Sequence, residues 1–106
     1  MSVNPASDVY QSRVFSKTFN RLSDKQQCFV DDEIEKIINN PELGQRKKGD
    51  LSHLYVHKFT MEQQLYLLGY SWLKEKLTLY LLNIGSHQNF YIDAKKRRKA
   101  DLKLIK

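Results

Sequence analysis

A capped helix in the first half of the chain, followed by three β-rich runs, is the pattern that most restricts the possible folds. Ser23-Asp-Lys-Gln26 has the form of a capping box, in which the first and last side chains satisfy backbone N–H groups at a helix start. Val30, Ile34 and Ile37 then recur at helical spacing. Asn39-Asn40-Pro41 predicts the end of the helix, because the residue before a proline is disfavoured in helical geometry.

Weaker patterns surround this helix. Tyr10–Phe15 is a candidate strand, and apolar residues within Phe15–Leu22 recur at spacings of four and three, which indicates a short helix. A loop with two glycines separates the capped helix from the β-rich runs, which are His53–Phe59, Gln64–Trp72 and Leu77–Ile84. The last two runs flank a charged turn and are predicted to form an antiparallel hairpin. A terminal helix is predicted from about Asn89 onward.

Separated helical and strand segments in this order predict an α+β domain. We expect a small antiparallel sheet of about four strands, with two N-terminal helices packed on one face and a short basic helix at the C-terminus. At 106 residues the chain is expected to be one domain, with a frayed start over residues 1–8 and a basic tail or helix over residues 95–106.

The positive charge of the chain is confined to its C-terminal end. Residues 95–106 contain seven basic side chains against one carboxylate, which accounts for the whole formal net charge of +6. Such a block attracts polyanions, so RNA or an acidic protein is the expected partner. The alternative is a solvated tail with no partner.

Several classes of protein lack support in the sequence. It contains no Gly-rich phosphate loop, no paired cysteines and no zinc-protease motif, and His53, His57 and His87 are dispersed. We therefore expect no metal and no cofactor. Cys28 lies two residues before Val30 and is expected to be a small buried side chain. No leader or apolar span of about 20 residues is present, so a cytoplasmic protein that does not bind membranes is expected.

Two regions can carry chemistry. His57 shares one face of a predicted strand with Tyr55 and Phe59. That face is either open to a ligand or buried, with His57 as a core histidine. His87 follows the last predicted strand, and Tyr91 lies four residues later. Side chains at such a strand end project into a cleft, unless this segment is only a packed helix start.

These residue types suit RNA cleavage without a metal ion. The 2′-hydroxyl of RNA is the nucleophile, so the protein needs groups that move protons and cations that stabilise the phosphate. Histidine exchanges protons near neutral pH, and a phenol can donate a hydrogen bond. The candidate cations for the RNA backbone are Arg46, Lys47, Lys48, Lys58 and Lys95.

The order of elements, the loop Asn40-Pro-Glu-Leu-Gly-Gln-Arg-Lys-Lys-Gly-Asp-Leu51 and the ending Ile84-Gly-Ser-His-Gln-Asn-Phe-Tyr91 resemble toxins of the RelE/ParE superfamily. The likeness covers roughly residues 10–95. It implies the toxin half of a bacterial type II toxin–antitoxin system, held inactive by a cognate antitoxin. One branch of the family consists of ribosome-dependent mRNA endonucleases, and another inhibits DNA gyrase.

The resemblance also implies residue roles. In the nuclease branch, His57, His87 and Tyr91 correspond to two basic residues and an aromatic acid–base residue. Many members have an arginine at the start of the third strand, where it steadies the phosphate, and Gln64 takes that place in this chain. The sequence therefore predicts an mRNA endonuclease acting with the ribosome. A gyrase inhibitor or a basic nucleic-acid-binding module is the alternative.

Overall fold

The computed structural model describes residues 5–105 and contains one mixed sheet with helices on both faces. The strands are β1 (Asp8–Gln11), β2 (Gln45–Arg46), β3 (Tyr55–Met61), β4 (Gln64–Leu73) and β5 (Thr78–Ser86). The helices are α1 (Arg13–Arg21), α2 (Asp24–Asn39), α3 (Phe90–Lys96) and α4 (Arg98–Ile105), with 3₁₀ turns at Gly49–Leu51, Lys74–Lys76 and His87–Asn89. The strand order is β1-β5-β4-β3-β2.

The α+β class is confirmed, while details of the sheet differ from the expectation. The sheet has five strands, because β2 adds a two-residue strand and β1 pairs with β5 in parallel. The predicted strand Tyr10–Phe15 is wrong in its second half, where Ser12 caps α1 instead by accepting a hydrogen bond from the Phe15 N–H at 3.0 Å. The predicted frayed start lies partly outside the described residues.

The two N-terminal helices pack on one face of the sheet, as predicted, and the C-terminal helices cover the other face. On the first face, Phe15 of α1 and Val30 and Ile37 of α2 pack against the sheet. On the second face, Phe90 and Ala94 of α3 pack against Leu67 and other core residues, and Ile105 of α4 lies against the same cluster.

Helix α2 forms as predicted, with both hydrogen bonds of the capping box present at Ser23 and Gln26. The buried stripe of this helix is Val30, Glu33 and Ile37. Cys28 is exposed, so its predicted burial is wrong. Two residues of a helix turn the chain by about 200°, which places Cys28 on the side away from Val30.

Tyr70 holds the loop that follows α2. Its hydroxyl donates to the Pro41 carbonyl at 2.7 Å and accepts from the Gly44 N–H at 2.8 Å. A Cβ at Gly44 would lie 2.8 Å from that hydroxyl oxygen, so the close approach depends on glycine. Burial raises the pKa of Tyr70 to about 12, which keeps the hydroxyl proton in place for this bond.

Gly69 is expected to be intolerant of a side chain. A Cβ at this position would clash with Asn83 and lie 2.9 Å from Cζ of Phe90, whereas a Cβ at Gly85 would meet no atom within 4 Å. Gly69→Ala should therefore lower the free energy of unfolding by about 1–3 kcal/mol through overpacking. Gly85→Ala, on the same sheet, should change it by less. Urea unfolding followed by circular dichroism measures both, and equal effects would contradict the packing at Gly69.

Candidate functional site

The end of β5 leads through His87 into α3, which covers the second face of the sheet. Leu67, a second-face core residue, pairs with Gly85, and side chains alternate along a strand. The strand ends at Ser86, and His87 opens the 3₁₀ turn that leads into α3. The side chain of His87 is exposed. An imidazole in this position is open to a ligand.

Tyr91 lies on α3, one turn after His87. It is half-buried against the second-face core and meets Phe90 edge to face at 5.3 Å between ring centroids. The ammonium nitrogen of Lys47 lies 5.1 Å from the centroid of the Tyr91 ring, within the range of a cation–π contact. The structure therefore joins the loop after α2 to the start of α3, and it places a cation beside the phenol.

Strand β3 adds Lys58 to the same face. Lys58 pairs with Leu67 and is exposed. Because paired residues share a face, Lys58 extends from the side of the sheet that carries His87. We call Lys47, Lys58, His87 and Tyr91 the second-face cluster.

Gln64 does not belong to this cluster. It pairs with the buried residue Met61, which is part of the first-face core, so Gln64 is on the first-face side of β4. The next residue, Leu65, pairs with Thr60 and is 40% exposed on the second face. The position at the start of β4 that faces the cluster is therefore apolar.

His57 lies on the first face, which α2 covers, so the expected open face is closed. Its Nε2 lies 2.8 Å from Oε1 of Glu33, and the His57 side chain is only 13% exposed. Lys36 donates to the other oxygen of Glu33, also at 2.8 Å. This placement corresponds to the alternative of a core histidine with a satisfied hydrogen bond. The catalytic role of His57 stays a prediction that the geometry does not support.

Glu33 is a buried carboxylate held by two partners. Burial alone raises its pKa, but the hydrogen bonds and the charges of Lys36 and His57 outweigh burial and lower the pKa below its ordinary value of 4.5. The carboxylate therefore stays ionised and ties α2 to β3.

The other candidate cations lie outside the cluster. Arg46 lies over the Tyr55 ring at 5.8 Å and donates from Nε to the Ser52 carbonyl at 3.1 Å. It shares the side of the sheet with its pairing partner Tyr55, away from the second-face cluster. Lys48 and Lys95 are exposed, in the loop before the first 3₁₀ turn and on α3.

The three histidines do not meet. His53 is half-buried, and burial, with a smaller effect of the Arg98 charge, lowers its pKa. His57 and His87 lie on opposite faces of the sheet. Within residues 5–105 no group of three His, Cys, Asp or Glu side chains is arranged to hold a metal ion. Over the same residues, no helix is long and apolar enough to cross a bilayer.

Comparison with known proteins identifies the family. A family model described as the ParE-like toxin of type II bacterial toxin–antitoxin systems matches residues 9–95. The chain therefore belongs to the ParE-like toxins, within the RelE/ParE superfamily. It is the toxin of a type II toxin–antitoxin system. No curated protein sequence matches the chain.

Solved structures of toxins share the fold at low sequence identity. A mutant of the Escherichia coli toxin RelE in the free state has a TM-score of 0.69 and 14% identity, over 89% of this chain and 97% of that one. The RelBE2 toxin–antitoxin complex of Mycobacterium tuberculosis gives 0.67 and 15%, over 78% and 99%. The intact E. coli RelBE toxin–antitoxin complex gives 0.63 and 16%, again over 78% and 99%.

The ion pair of Glu33 should make stability depend on pH. Because folding lowers the pKa of Glu33, its contribution is present above its unfolded pKa of about 4.5 and is lost as pH falls through the lower folded value. Glu33→Gln should therefore reduce the free energy of unfolding by about 1.5–3 kcal/mol at pH 7. The difference from wild type should shrink below pH 4.5.

Urea unfolding at a series of pH values measures this difference. Glu35→Gln is the matched control, since Glu35 is an exposed carboxylate on the same helix. If the two variants have the same stability at every pH, Glu33 is not the residue that ties α2 to β3.

Proposed function

We propose that this toxin is a ribosome-dependent endoribonuclease that cleaves translated mRNA without a metal ion and is neutralised by a cognate antitoxin. The observation that carries the proposal is the contact of the Lys47 ammonium with the Tyr91 ring on the second face, where Lys58 is also exposed and where the chain passes through the exposed His87 into α3. The similar solved structures include toxin–antitoxin complexes, which supports an antitoxin partner for this chain. The proposed site of action is the cytoplasm, where mRNA is translated.

The chemistry needs few groups from the protein. A base removes the proton of the ribose 2′-hydroxyl, whose oxygen attacks the adjacent phosphorus and forms a cyclic phosphate. The 5′-oxygen leaves and takes a proton from an acid. We assign the proton transfer to the imidazole of His87, and the Tyr91 phenol is suited to donate to an oxygen of the phosphate. Lys47 and Lys58 supply positive charge as the phosphate becomes pentavalent.

Basic side chains beyond the cluster suit binding rather than bond breaking. The exposed cations of residues 95–103 lie on α3, on α4 and at Arg97 between them, on the side of the sheet that these helices cover. Phosphate contacts of this kind give affinity without sequence preference. We propose that this surface docks on ribosomal RNA and holds mRNA near His87.

His87→Ala is the direct test of the proposed reaction. The variant should lose growth arrest and mRNA cleavage while keeping the wild-type circular dichroism spectrum, because His87 is exposed and outside the core. His57→Gln should keep cleavage and lose only stability, since His57 contacts Glu33 rather than the cluster. Mapping of mRNA 5′ ends after brief induction reads out cleavage. Full toxicity of His87→Ala would rule out the proposed mechanism.

Inhibition of DNA gyrase is the second candidate function. The apolar residue Leu65, where a phosphate-binding cation would face the cluster, favours it. A gyrase inhibitor would arrest growth with a DNA-damage response and without new mRNA ends. Cleaved mRNA without that response supports the nuclease.

The same position offers a gain-of-function experiment. Leu65→Arg would add a guanidinium on the face of the cluster, where one donor to a charged transition state is worth about 10²–10³ in rate. Ribosome-dependent cleavage should therefore become faster. Gln64→Arg is the matched control, because Gln64 is on the first-face side of β4 and should leave the rate unchanged. Acceleration by Gln64→Arg instead would contradict the face assigned to these residues.

A further inference from the structure

A cleft of about 300 Å³ lies beside the last part of β5, outside the second-face cluster. Strand β1 pairs with β5 only over Thr78–Leu81, and α1 then leaves the sheet edge. The remainder of this edge, from Asn83 to Ser86, lines the cleft. Val14 and Thr18 of α1 form one wall, and α3 forms the other.

The wall from α3 carries three polar side chains of different kinds. Asp93 lies on α3, and Asn89 and Arg97, four residues before and after it, flank the two ends of that helix. They offer an amide, an acceptor and a donor fork. All three are exposed, and within residues 5–105 neither Asp93 nor Arg97 forms a salt bridge. Their hydrogen-bonding groups are available to a ligand.

Asn83 provides a second, independent indication of a ligand. It is only 7% exposed, and its Oδ1 is the one buried side-chain nitrogen or oxygen without a hydrogen-bond partner in the described part of the chain. An acceptor buried in this way destabilises the fold. Asn83 lines the cleft, its Oδ1 faces Gly69 of β4, and a half-turn of its amide exchanges the oxygen and the nitrogen. A donor in the cleft could then satisfy the oxygen.

The cleft adjoins the proposed reaction centre. Ser86 and Asn89 both line it, and His87 lies between them in the chain. A group bound in the cleft would therefore be next to a phosphate held at His87.

We propose that this cleft binds one unpaired base of the RNA beside the cleaved phosphate, and that Asn83, Asn89 and Asp93 select the base by its edge. The inference rests on the proposed nuclease function. Unpaired bases are recognised in proteins by hydrogen bonds to their edges, which carry both donors and acceptors. The amides and the carboxylate of the cleft match such an edge, and the Phe90 ring gives it an apolar contact.

A strand of a protein partner is the other occupant to consider, since a free sheet edge can pair with an extended peptide. The cleft is at the small end of the range for ligand pockets, about 300–1,000 Å³. Its open edge spans only Asn83–Ser86, and most of its lining is polar. These features favour a single planar polar group over a length of polypeptide.

Asp93→Asn tests selection of the base. The substitution turns an acceptor into a mixed donor and acceptor on an exposed side chain, so the fold should be unaffected. Mapped cleavage sites should change their preference for the base at one position next to the cut by about tenfold. Glu35→Gln, an exposed carboxylate on α2, is the control and should leave the preference unchanged.

Thr18→Trp tests occupancy of the cleft by filling it from α1. Ribosome-dependent cleavage should fall by about tenfold or more, whereas Lys17→Trp, on the exposed side of the same helix, should cleave like wild type. Circular dichroism shows whether each variant is folded.

The outcomes separate this inference from the function on which it rests. If wild-type protein cleaves no RNA, both fail. If wild type cleaves and both cleft variants keep its sites and rate, only the base-binding cleft is overturned. Variants that cleave normally but escape neutralisation by the antitoxin would also overturn it, and would assign the cleft to a polypeptide.

Discussion

Strand β5 is the element on which the rest of the structure depends. It pairs with β1 in parallel on one side and with β4 antiparallel on the other. Its first-face residues contact α1 and α2, its second-face residues contact α3, and its last residue leads directly to His87. Any change in the register of β5 therefore moves both the core and the candidate site.

A single irregularity in this strand decides where His87 lies. The pairing of β4 with β5 shifts by one residue between Gly69 and Tyr70, so that Leu82 is left without a direct partner. Before the shift, Leu79 and Leu81 belong to the first face, and after it Ile84 does. Without the extra residue, strict alternation would direct His87 to the first face, where α1 and α2 lie. The bulge instead places it with Lys58 and Tyr91.

The elements with strong local patterns could be predicted from the sequence, whereas the bulge could not. The capped helix α2 and the three long strands have strong local patterns, and they form as expected. A bulge depends on pairing between strands, and the sequence around Leu82 and Gly69 contains no local pattern that predicts it. The same limit applied to His57, since the apolar residues on both sides of β3 left its face undecided. Glu33 could have indicated the face of His57, because a carboxylate in the buried stripe of α2 requires a polar partner on the sheet.

The charged C-terminal segment packs against the sheet, although its composition is also typical of a solvated tail. It is helical, Ile105 packs against the second-face core, and Arg98 donates to the Asp50 carbonyl at 2.7 Å. Asp101 is buried in α4, which raises its pKa to about 6 although the charge of Arg97 opposes the shift. The described part of the tail is therefore docked on the sheet, and the lysines and arginines of residues 95–103 are exposed.

Docking of α4 sets the direction of the electrostatic field as well as its strength. A loose tail with the same charge would attract RNA to a volume around the whole molecule. Fixed on the second face, these cations attract a polyanion to the side that carries the second-face cluster. In the proposed mechanism, attraction and chemistry are supplied by different residues, since phosphate contacts need only charge, whereas the proposed cleavage depends on the positions of His87 and Tyr91. The effect of the positive charge therefore depends on the fold, which fixes the cations on one side of the sheet.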